Sequence, residues 1–197
     1  MLALFNWLWA APQVLPEDPE VIIPLGYACW PGYLSRATEA GIRDAITFAH
    51  QSPHAVVSFA DGSHCFIRSD QFELTAKSRM LLAAHVPFAP AGPVTNTIGE
   101  LQAIAKKLRE EKIEPREVLL IVDMAHSRRV RYIARRLFPQ ARISLMYLHE
   151  KPYQKEQLFF FLRGGWRWLF ANIVGMIPTA LWALGLQRAS LISEPKF

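Results

Sequence analysis

The stretch from Val118 to Arg129 constrains the fold more than any other part of the chain. It opens with a branched apolar run, Val-Leu-Leu-Ile-Val, which is typical of a strand buried on both faces of a parallel sheet. Polar side chains follow, namely an acid, an imidazole, a hydroxyl and two guanidiniums (Asp123, His126, Ser127, Arg128 and Arg129). A helical apolar stripe then begins at Val130. Because ligands of open α/β sheets bind where strands end and helices begin, residues 123–129 are the leading site candidate.

The same alternation of strand and helix runs through most of the chain. Strands are predicted at 21–26, 55–59, 118–122 and 142–148, with helices from Arg36, over 70–84 and from the 95–100 segment. The helix at 70–84 is expected to turn one face inward (Phe72, Ala76, Met80 and Ala83). Residues 63–69 are interpreted as a loop or a stray strand, and the proline-rich 86–94 as a connection. The pattern predicts a three-layer α/β sandwich with a mainly parallel sheet.

Length and charge narrow the class of protein. The 197 residues suit one sizeable core, and 51% hydrophobic with 20% charged residues is an ordinary globular composition. The formal net charge of +5 comes from a local concentration of arginines (Arg128, Arg129, Arg131, Arg135, Arg136 and Arg142). Such a patch favours anionic partners, although a solvated helix face would give the same pattern. The pattern does not favour nucleic acid as the partner, because aromatic stacking residues do not accompany the arginines.

Several chemistries are excluded by missing motifs. Cys29 and Cys65 are the only cysteines, and no zinc-type spacing predicts a metal site. The sequence also lacks a Walker loop, a G-x-G-x-x-G turn and a G-x-S-x-G elbow.

The two ends of the chain differ from its middle, which suggests the division 1–19, 20–150 and 151–197. Residues 1–11 are apolar and Trp-rich, without the basic start of a secretory signal, so they pack on the domain or lie at a membrane surface. Residues 157–185 are nearly all apolar, and 169–186 carry no ionisable side chain. Membrane contact through 158–186 is slightly favoured over a helical pair packed on the sheet. If the segment spans, the excess of basic residues before it puts the domain on the cytoplasmic side.

Candidate site residues cluster where strands end or helices start. Thr97-x-x-Glu100 fits a capping box, which is slightly favoured, while Asn96 and Thr97 could instead hold a ligand. His126 is a candidate general acid/base oriented by Asp123, or a structural histidine. Arg128 and Arg129 are candidate ligands for an anion, because a guanidinium group binds phosphate or carboxylate through two parallel hydrogen bonds. Three further candidates are Gly26 and Asp61, which lie at the ends of predicted strands, and Glu73, which lies in the first turn of a predicted helix. The alternative explanation is an ordinary turn residue for Asp61 and a favourable contact with the helix dipole for Glu73.

These motifs, in this order, resemble the YdcF/SanA/ElyC-like family (domain of unknown function 218). The resemblance covers about residues 20–148 and is most specific at His126-Ser127-Arg128-Arg129, with Asn96-Thr97-x-x-Glu100 upstream. It implies a Rossmann-like fold with a ligand pocket at the strand ends, formed by Glu73, Asn96, Thr97, Glu100, His126 and Arg129. One family member is associated with S-adenosylmethionine and others with cell-envelope integrity. This chain has Gly26-Tyr27-Ala28 and Ala60-Asp61-Gly62 where the family tends to have glycine pairs, so the cofactor does not transfer directly.

The residues and the resemblance lead to two hypotheses. The first is a domain near the bacterial inner membrane that binds a phosphate- or nucleotide-like anion, with a soluble cytoplasmic protein as the alternative. If the domain is an enzyme, which the sequence leaves open, a transferase or hydrolase of a phosphorylated envelope precursor would suit the site. His126 would then be the acid/base, Arg128 and Arg129 the anion clamp, and Asn96 and Thr97 the positioning groups. The second hypothesis is a non-catalytic, membrane-associated interaction module.

Overall fold

The fold was obtained as a computed structural model, which describes residues 2–26, 29–30, 33–61, 72–94, 96–148 and 165–185. The predicted loop or strand at 63–69 and the start of the apolar tail at 157–164 lie outside these residues. The elements are, in chain order, α1 (Leu2–Trp9), β1 (Val21–Pro24), β2 (Cys29–Trp30), β3 (Tyr33–Leu34), α2 (Arg36–Gln51), β4 (Val56–Asp61), α3 (Phe72–Ala83), β5 (Phe88–Pro93), α4 (Thr97–Glu110), β6 (Glu117–Val122), α5 (Ser127–Leu137), β7 (Arg142–Tyr147), α6 (Gly165–Val174) and α7 (Met176–Ala183).

One parallel sheet organises the described residues. Its strand order is β5-β4-β1-β6-β7, and every neighbouring pair is parallel. Helices flank the sheet, with α2 against α3 and α4 against α5. Strands β2 and β3 form a separate antiparallel pair. The predicted three-layer α/β sandwich with a mainly parallel sheet is therefore confirmed, and its topology is Rossmann-like.

The central strands are apolar because helices cover both of their faces. Every residue of β1 is buried, and the five residues from Val118 to Val122 in β6 are fully buried. The predicted core stripe of α4 (Ile98, Leu101, Ala105 and Leu108) is buried as well. Pro24 is tolerated in a central strand because it is the last residue of β1.

The inward face predicted for α3 is only partly correct. Ala76 and Met80 are half-buried, and Met80 packs against the core, whereas Ala83 is exposed. The fully buried positions are Glu73, Lys77 and Leu81. Apolar periodicity does not reveal this face, because Glu73 and Lys77 are charged. The two side chains lie one helical turn apart and neutralise each other. The side chain of Phe72 lies outside the described part of the helix.

The interpretation of residues 86–94 as a mere connection is also wrong. Residues Phe88–Pro93 form β5, an edge strand that pairs with β4 and buries Ala89 and Ala91. Proline lacks an N–H and so removes a ladder hydrogen bond from a central strand, whereas an edge strand has one side that forms no ladder hydrogen bonds. The prolines are therefore compatible with the edge position that the strand order gives β5.

The N-terminal segment packs against the domain. Val14 and Leu145 exchange backbone hydrogen bonds of 3.2 and 2.7 Å, which adds an antiparallel bridge to the edge strand β7. The Trp9 indole donates to the Ala125 carbonyl at 2.8 Å, and the Ala11 N–H donates to the Ser127 hydroxyl at 3.0 Å.

Part of the C-terminal segment forms helices α6 and α7. Helix α7 packs against both α5 and α6. Among the helices of the described residues, none combines the length and the hydropathy that crossing a bilayer requires.

Candidate functional site

The strand order reverses between β1 and β6, and α/β folds of this class have a crevice at the carboxyl ends of the strands where the order reverses. From β1 the chain proceeds to β4 and β5 on one side, and then crosses back to β6 and β7 on the other. Ligands of this fold class bind at such a switch point. Gly26 follows β1 there, and the segment from Asp123 to His126 follows β6.

A buried cluster of charged side chains lies beside Gly26. The Lys77 ammonium is 2.6 Å from Glu73 Oε1, and both side chains are almost completely buried. Lys77 Nζ also donates to the Ala60 carbonyl at 3.0 Å, at the end of β4, and lies 5.6 Å from the centre of the Phe59 ring. The ion pair is thus held between α3 and the strand ends.

Glu100, in the first turn of α4, completes this cluster. Its Oε1 accepts a 3.2 Å hydrogen bond from the Gly26 N–H. Burial raises the pKa of Glu100 to about 7, and the nearby Glu73 charge adds to this, while Lys77 and the Gly26 N–H act in the opposite direction. Glu100 therefore exists in both protonation states near neutral pH.

A side chain at position 26 would displace the charged cluster. A Cβ atom there would lie 2.7 Å from Glu73 Oε1 and 3.2 Å from Lys77 Nζ. Glycine at this position lets the backbone approach the charged cluster directly.

The start of α4 is capped differently from the predicted Thr97–Glu100 box. Asn96 is the N-cap residue, and its Oδ1 accepts from the Gly99 N–H at 2.8 Å. Glu100 is thereby available to Gly26, and the Thr97 hydroxyl lies 3.2 Å from His126 Nε2. One helical turn therefore connects the end of β1 to the segment after β6.

His126 is buried, and both of its ring nitrogens have partners. Nδ1 contacts Asn172 Oδ1 on α6 and Nε2 contacts the Thr97 hydroxyl. Because Asn172 Oδ1 can only accept, the proton is assigned to Nδ1, and Nε2 accepts from Thr97. Burial, helped by the charge of Arg129, lowers the pKa of His126 to about 3, against the opposing effect of Asn172. The imidazole is neutral at pH 7.

Asp123 and Ser127 hold the backbone around the histidine. Asp123 Oδ1 accepts from the Ala125 N–H at 2.9 Å. The Ser127 hydroxyl donates to the Met124 carbonyl at 2.7 Å and accepts from the Ala11 N–H. Both side chains thus fix the turn between β6 and α5.

The two arginines after His126 contact the ends of the chain. Arg128 is exposed, and its guanidinium lies 5.1 Å from the centre of the Trp9 ring and 3.4 Å from the Leu8 carbonyl. Arg129 Nε donates to the Thr179 hydroxyl on α7 at 3.0 Å, and burial lowers its pKa. Among the described residues, neither arginine forms an ion pair with a carboxylate.

The candidates thus fall into two linked groups. Gly26, Glu73 and Glu100 meet at the end of β1, while Thr97 meets His126 at the end of β6. Asp61 is fully buried at the end of β4, opposite Pro93 of β5.

Sequence reasoning missed three participating residues: Lys77, Asn172 and Thr179. The Glu73-x-x-x-Lys77 spacing is a signal for the first, since residues four apart on a helix are neighbours. Asn172 and Thr179 are isolated polar residues in an otherwise apolar tail, and both are buried. Because buried polar groups need hydrogen-bond partners, a polar residue in such a tail indicates a contact with another polar group of the fold.

Comparisons with known proteins give no match: no family model, curated protein or solved structure is significantly similar to the chain. The resemblance to the YdcF/SanA/ElyC-like family therefore stays a prediction from the sequence. Within the part of the chain that the structure describes, no group of three or more His, Cys, Asp and Glu side chains is placed to hold a metal ion.

Proposed function

We propose that this chain binds a small anionic molecule, phosphate-bearing or nucleotide-like, in the crevice between β1 and β6. The observation that carries the proposal is the first turn of α4, which contacts Gly26 through Glu100 and His126 through Thr97. S-adenosylmethionine is one nucleotide-like candidate, which rests on the family resemblance alone. A phosphorylated envelope precursor is another.

The energetics of the charged cluster support a functional role. Burying an ion costs several kcal/mol, and a buried ion pair is often no more stabilising than apolar residues of similar volume. Glu73, Lys77 and Glu100 are all buried at the crevice where this fold class binds ligands. Clusters that perturb a pKa by burial and by specific charges are concentrated at functional sites.

Two features favour an anion over a cation. The first N–H groups of a helix have no intrahelical partner and carry a partial positive charge, and α4 directs this end to the strand edge. In addition, Glu100 can lose its negative charge by binding a proton, since its pKa is about 7. With Glu100 protonated, the Glu73–Lys77 pair leaves the cluster neutral.

If the site performs proton transfer, the pKa values of the two groups and the occupied ring nitrogens of His126 favour Glu100 over His126. The Glu100 pKa is close to neutral pH, where general acid/base groups are most effective. His126, with a pKa of about 3 and two engaged nitrogens, is suited to positioning Thr97. Turnover would be that of a transferase or hydrolase, with Glu100 in the role first assigned to His126.

The first experiment is a thermal-shift screen with S-adenosylmethionine, nucleotides and isoprenoid phosphates. A ligand at about 100 times its Kd stabilises the native state by about 2.7 kcal/mol, which raises Tm by roughly 5–10 °C for a chain of this size. Thr97→Val, which removes the hydroxyl that contacts His126, is expected to reduce this shift. Thr47→Val is the matched control, because Thr47 is exposed on α2.

The pH dependence of affinity tests Glu100. An anion that prefers protonated Glu100 binds more weakly as pH rises through about 7. Glu100→Gln should abolish this part of the pH dependence, and the exposed Glu110→Gln on the same helix should retain it. Equal ligand stabilisation of the wild type and Thr97→Val would place the binding site elsewhere. The absence of stabilisation by every anion tested would refute the proposal.

A further inference from the structure

An exposed apolar stripe runs along α6 and α7. Six large side chains face solvent at helical spacing, with exposures of 40–70% (Phe170, Ile173, Val174, Ile177, Leu181 and Leu184). Residues 169–186 contain no ionisable side chain in a chain that is otherwise rich in them. Single exposed apolar residues are ordinary on protein surfaces, but a contiguous patch indicates an interaction surface.

Helix α1 extends this surface. It contacts α6, and its Leu4 and Leu8 are 57% and 59% exposed. The apolar surface defined by α1, α6 and α7 therefore combines segments from both ends of the chain.

Two exposed arginines of α5 contact helices of the apolar surface. Arg128 lies against Trp9 and the Leu8 carbonyl of α1, and Arg136 Nη1 donates to the Ala183 carbonyl of α7 at 3.2 Å. Helix α5 contains five arginines and no acidic residue. Arg128 is in its first turn, where the helix dipole disfavours a cation, so helix stability does not explain its position.

We propose that the α1/α6/α7 surface docks on an anionic phospholipid membrane, with the apolar side chains in the interface and Arg128 and Arg136 of α5 against lipid headgroups. Interfacial helices bind by buried apolar area together with attraction of basic residues to anionic lipids, and this surface offers both. The 10 residues of α6 and the 8 of α7 rise about 15 and 12 Å, each well short of the roughly 30 Å hydrocarbon core of a bilayer.

A second copy of the chain fits this surface less well than a membrane does. A twofold interface pairs the same patch with itself, so it would bring these arginines of the two copies together. Among the described residues, no carboxylate forms an ion pair with an arginine of α5 that would offset the repulsion. An anionic bilayer supplies the opposite charge at the required place.

The helices proposed to dock on the membrane also contact residues near the crevice between β1 and β6. Asn172, on the buried side of α6, contacts His126, and Arg129 contacts Thr179 of α7. The helices that would touch the bilayer therefore also contact the candidate site.

The test is vesicle flotation of the full chain with phosphatidylglycerol and with phosphatidylcholine vesicles. Ile177→Glu combined with Leu184→Glu removes two of the most exposed side chains, at 62% and 70%, and should weaken binding at least about tenfold. Leu82→Glu is the matched control, because Leu82 is 61% exposed on α3, outside the proposed surface, and it should bind as the wild type does. Circular dichroism checks that each variant is folded.

A second pair of variants tests the two arginines of α5. Arg128→Ala and Arg136→Ala should each weaken binding to phosphatidylglycerol vesicles about fivefold, which corresponds to about 1 kcal/mol per basic residue near an anionic surface. Arg128→Lys with Arg136→Lys keeps the charge and should retain binding. Arg43→Ala, at an exposed arginine of α2, is the control for net charge.

Binding to phosphatidylglycerol vesicles that Ile177→Glu/Leu184→Glu loses and Leu82→Glu retains would support the proposal. Lack of binding to anionic vesicles would overturn it, as would equal binding to phosphatidylcholine. A concentration-dependent dimer that Ile177→Glu/Leu184→Glu abolishes, without vesicle binding, would overturn it in favour of a second copy.

Discussion

Removing the ammonium of Lys77 should destabilise the protein far more than removing a surface lysine. At 2.6 Å, in an effective dielectric constant of about 20, its attraction to the Glu73 carboxylate is about 6 kcal/mol before the cost of burying both ions. Lys77→Met leaves Glu73 buried without this partner and removes the bond to the Ala60 carbonyl. We expect a loss of about 3–5 kcal/mol in the free energy of unfolding. This is a large share of the roughly 5–15 kcal/mol typical of a domain.

Urea denaturation followed by circular dichroism measures this loss. For a slope near 2 kcal/mol/M, the midpoint should fall by about 2 M. Glu73→Leu/Lys77→Met removes both ions and should recover most of the stability, since apolar replacements of a buried pair are often neutral or stabilising. Lys106→Met is the matched control, because Lys106 pairs with Glu110 at the same spacing on an exposed surface and should cost less than about 1 kcal/mol. A loss for Lys77→Met no larger than that of the control would refute the reasoning.

Three further predictions concern the same region. Gly26→Ala places a Cβ 2.7 Å from a carboxylate oxygen of α3 and should cost about 1–3 kcal/mol in urea unfolding, whereas Gly92→Ala, with nothing within 4 Å, should change stability little. The pKa of Glu100 is raised from 4.5 to about 7, so its contribution to the free energy of unfolding is fully present below pH 4.5 and is lost as pH rises to 7. The total loss over this range is about 3 kcal/mol. His126 has the opposite pH dependence, because its lowered pKa costs stability as pH falls below 6.5. The quantity to measure is therefore the difference in unfolding free energy between the wild type and Glu100→Gln from pH 4.5 to 7. A difference that stays constant over this range would contradict the raised pKa of Glu100. Asn172→Leu leaves the imidazole Nδ1–H without its acceptor, so we expect a loss of about 1–3 kcal/mol and a changed imidazole ¹⁵N spectrum, and an unchanged spectrum would argue against the contact.

Sequence periodicity was sufficient where one physical requirement dominated. The run from Val118 to Val122 could be assigned to a buried parallel strand because a sheet covered on both faces needs apolar residues at every position. The stripe of α4 was equally clear, since one side of that helix meets the core and the other meets water.

Periodicity failed where the decisive interaction joined distant segments. The edge position of β5 depends on the order of the strands, which its prolines alone do not specify. The buried face of α3 includes Lys77, which is stable there because Glu73 and the Ala60 carbonyl both meet its ammonium. The cap of α4 shifted from Thr97 to Asn96 because Glu100 and Thr97 contact Gly26 and His126 instead.

The sequence by itself determined the fold class and directed attention to residues 96–100 and 123–129, because strand and helix patterns are local properties of the chain. Only the tertiary structure decided which of their side chains meet, and what surrounds them. Asn172 lies 46 residues from His126, and Lys77 lies 23 residues from Glu100, so only the folded chain brings them together. Burial then sets the pKa of Glu100 near 7 and that of His126 near 3, because both side chains lose contact with water only in the folded chain.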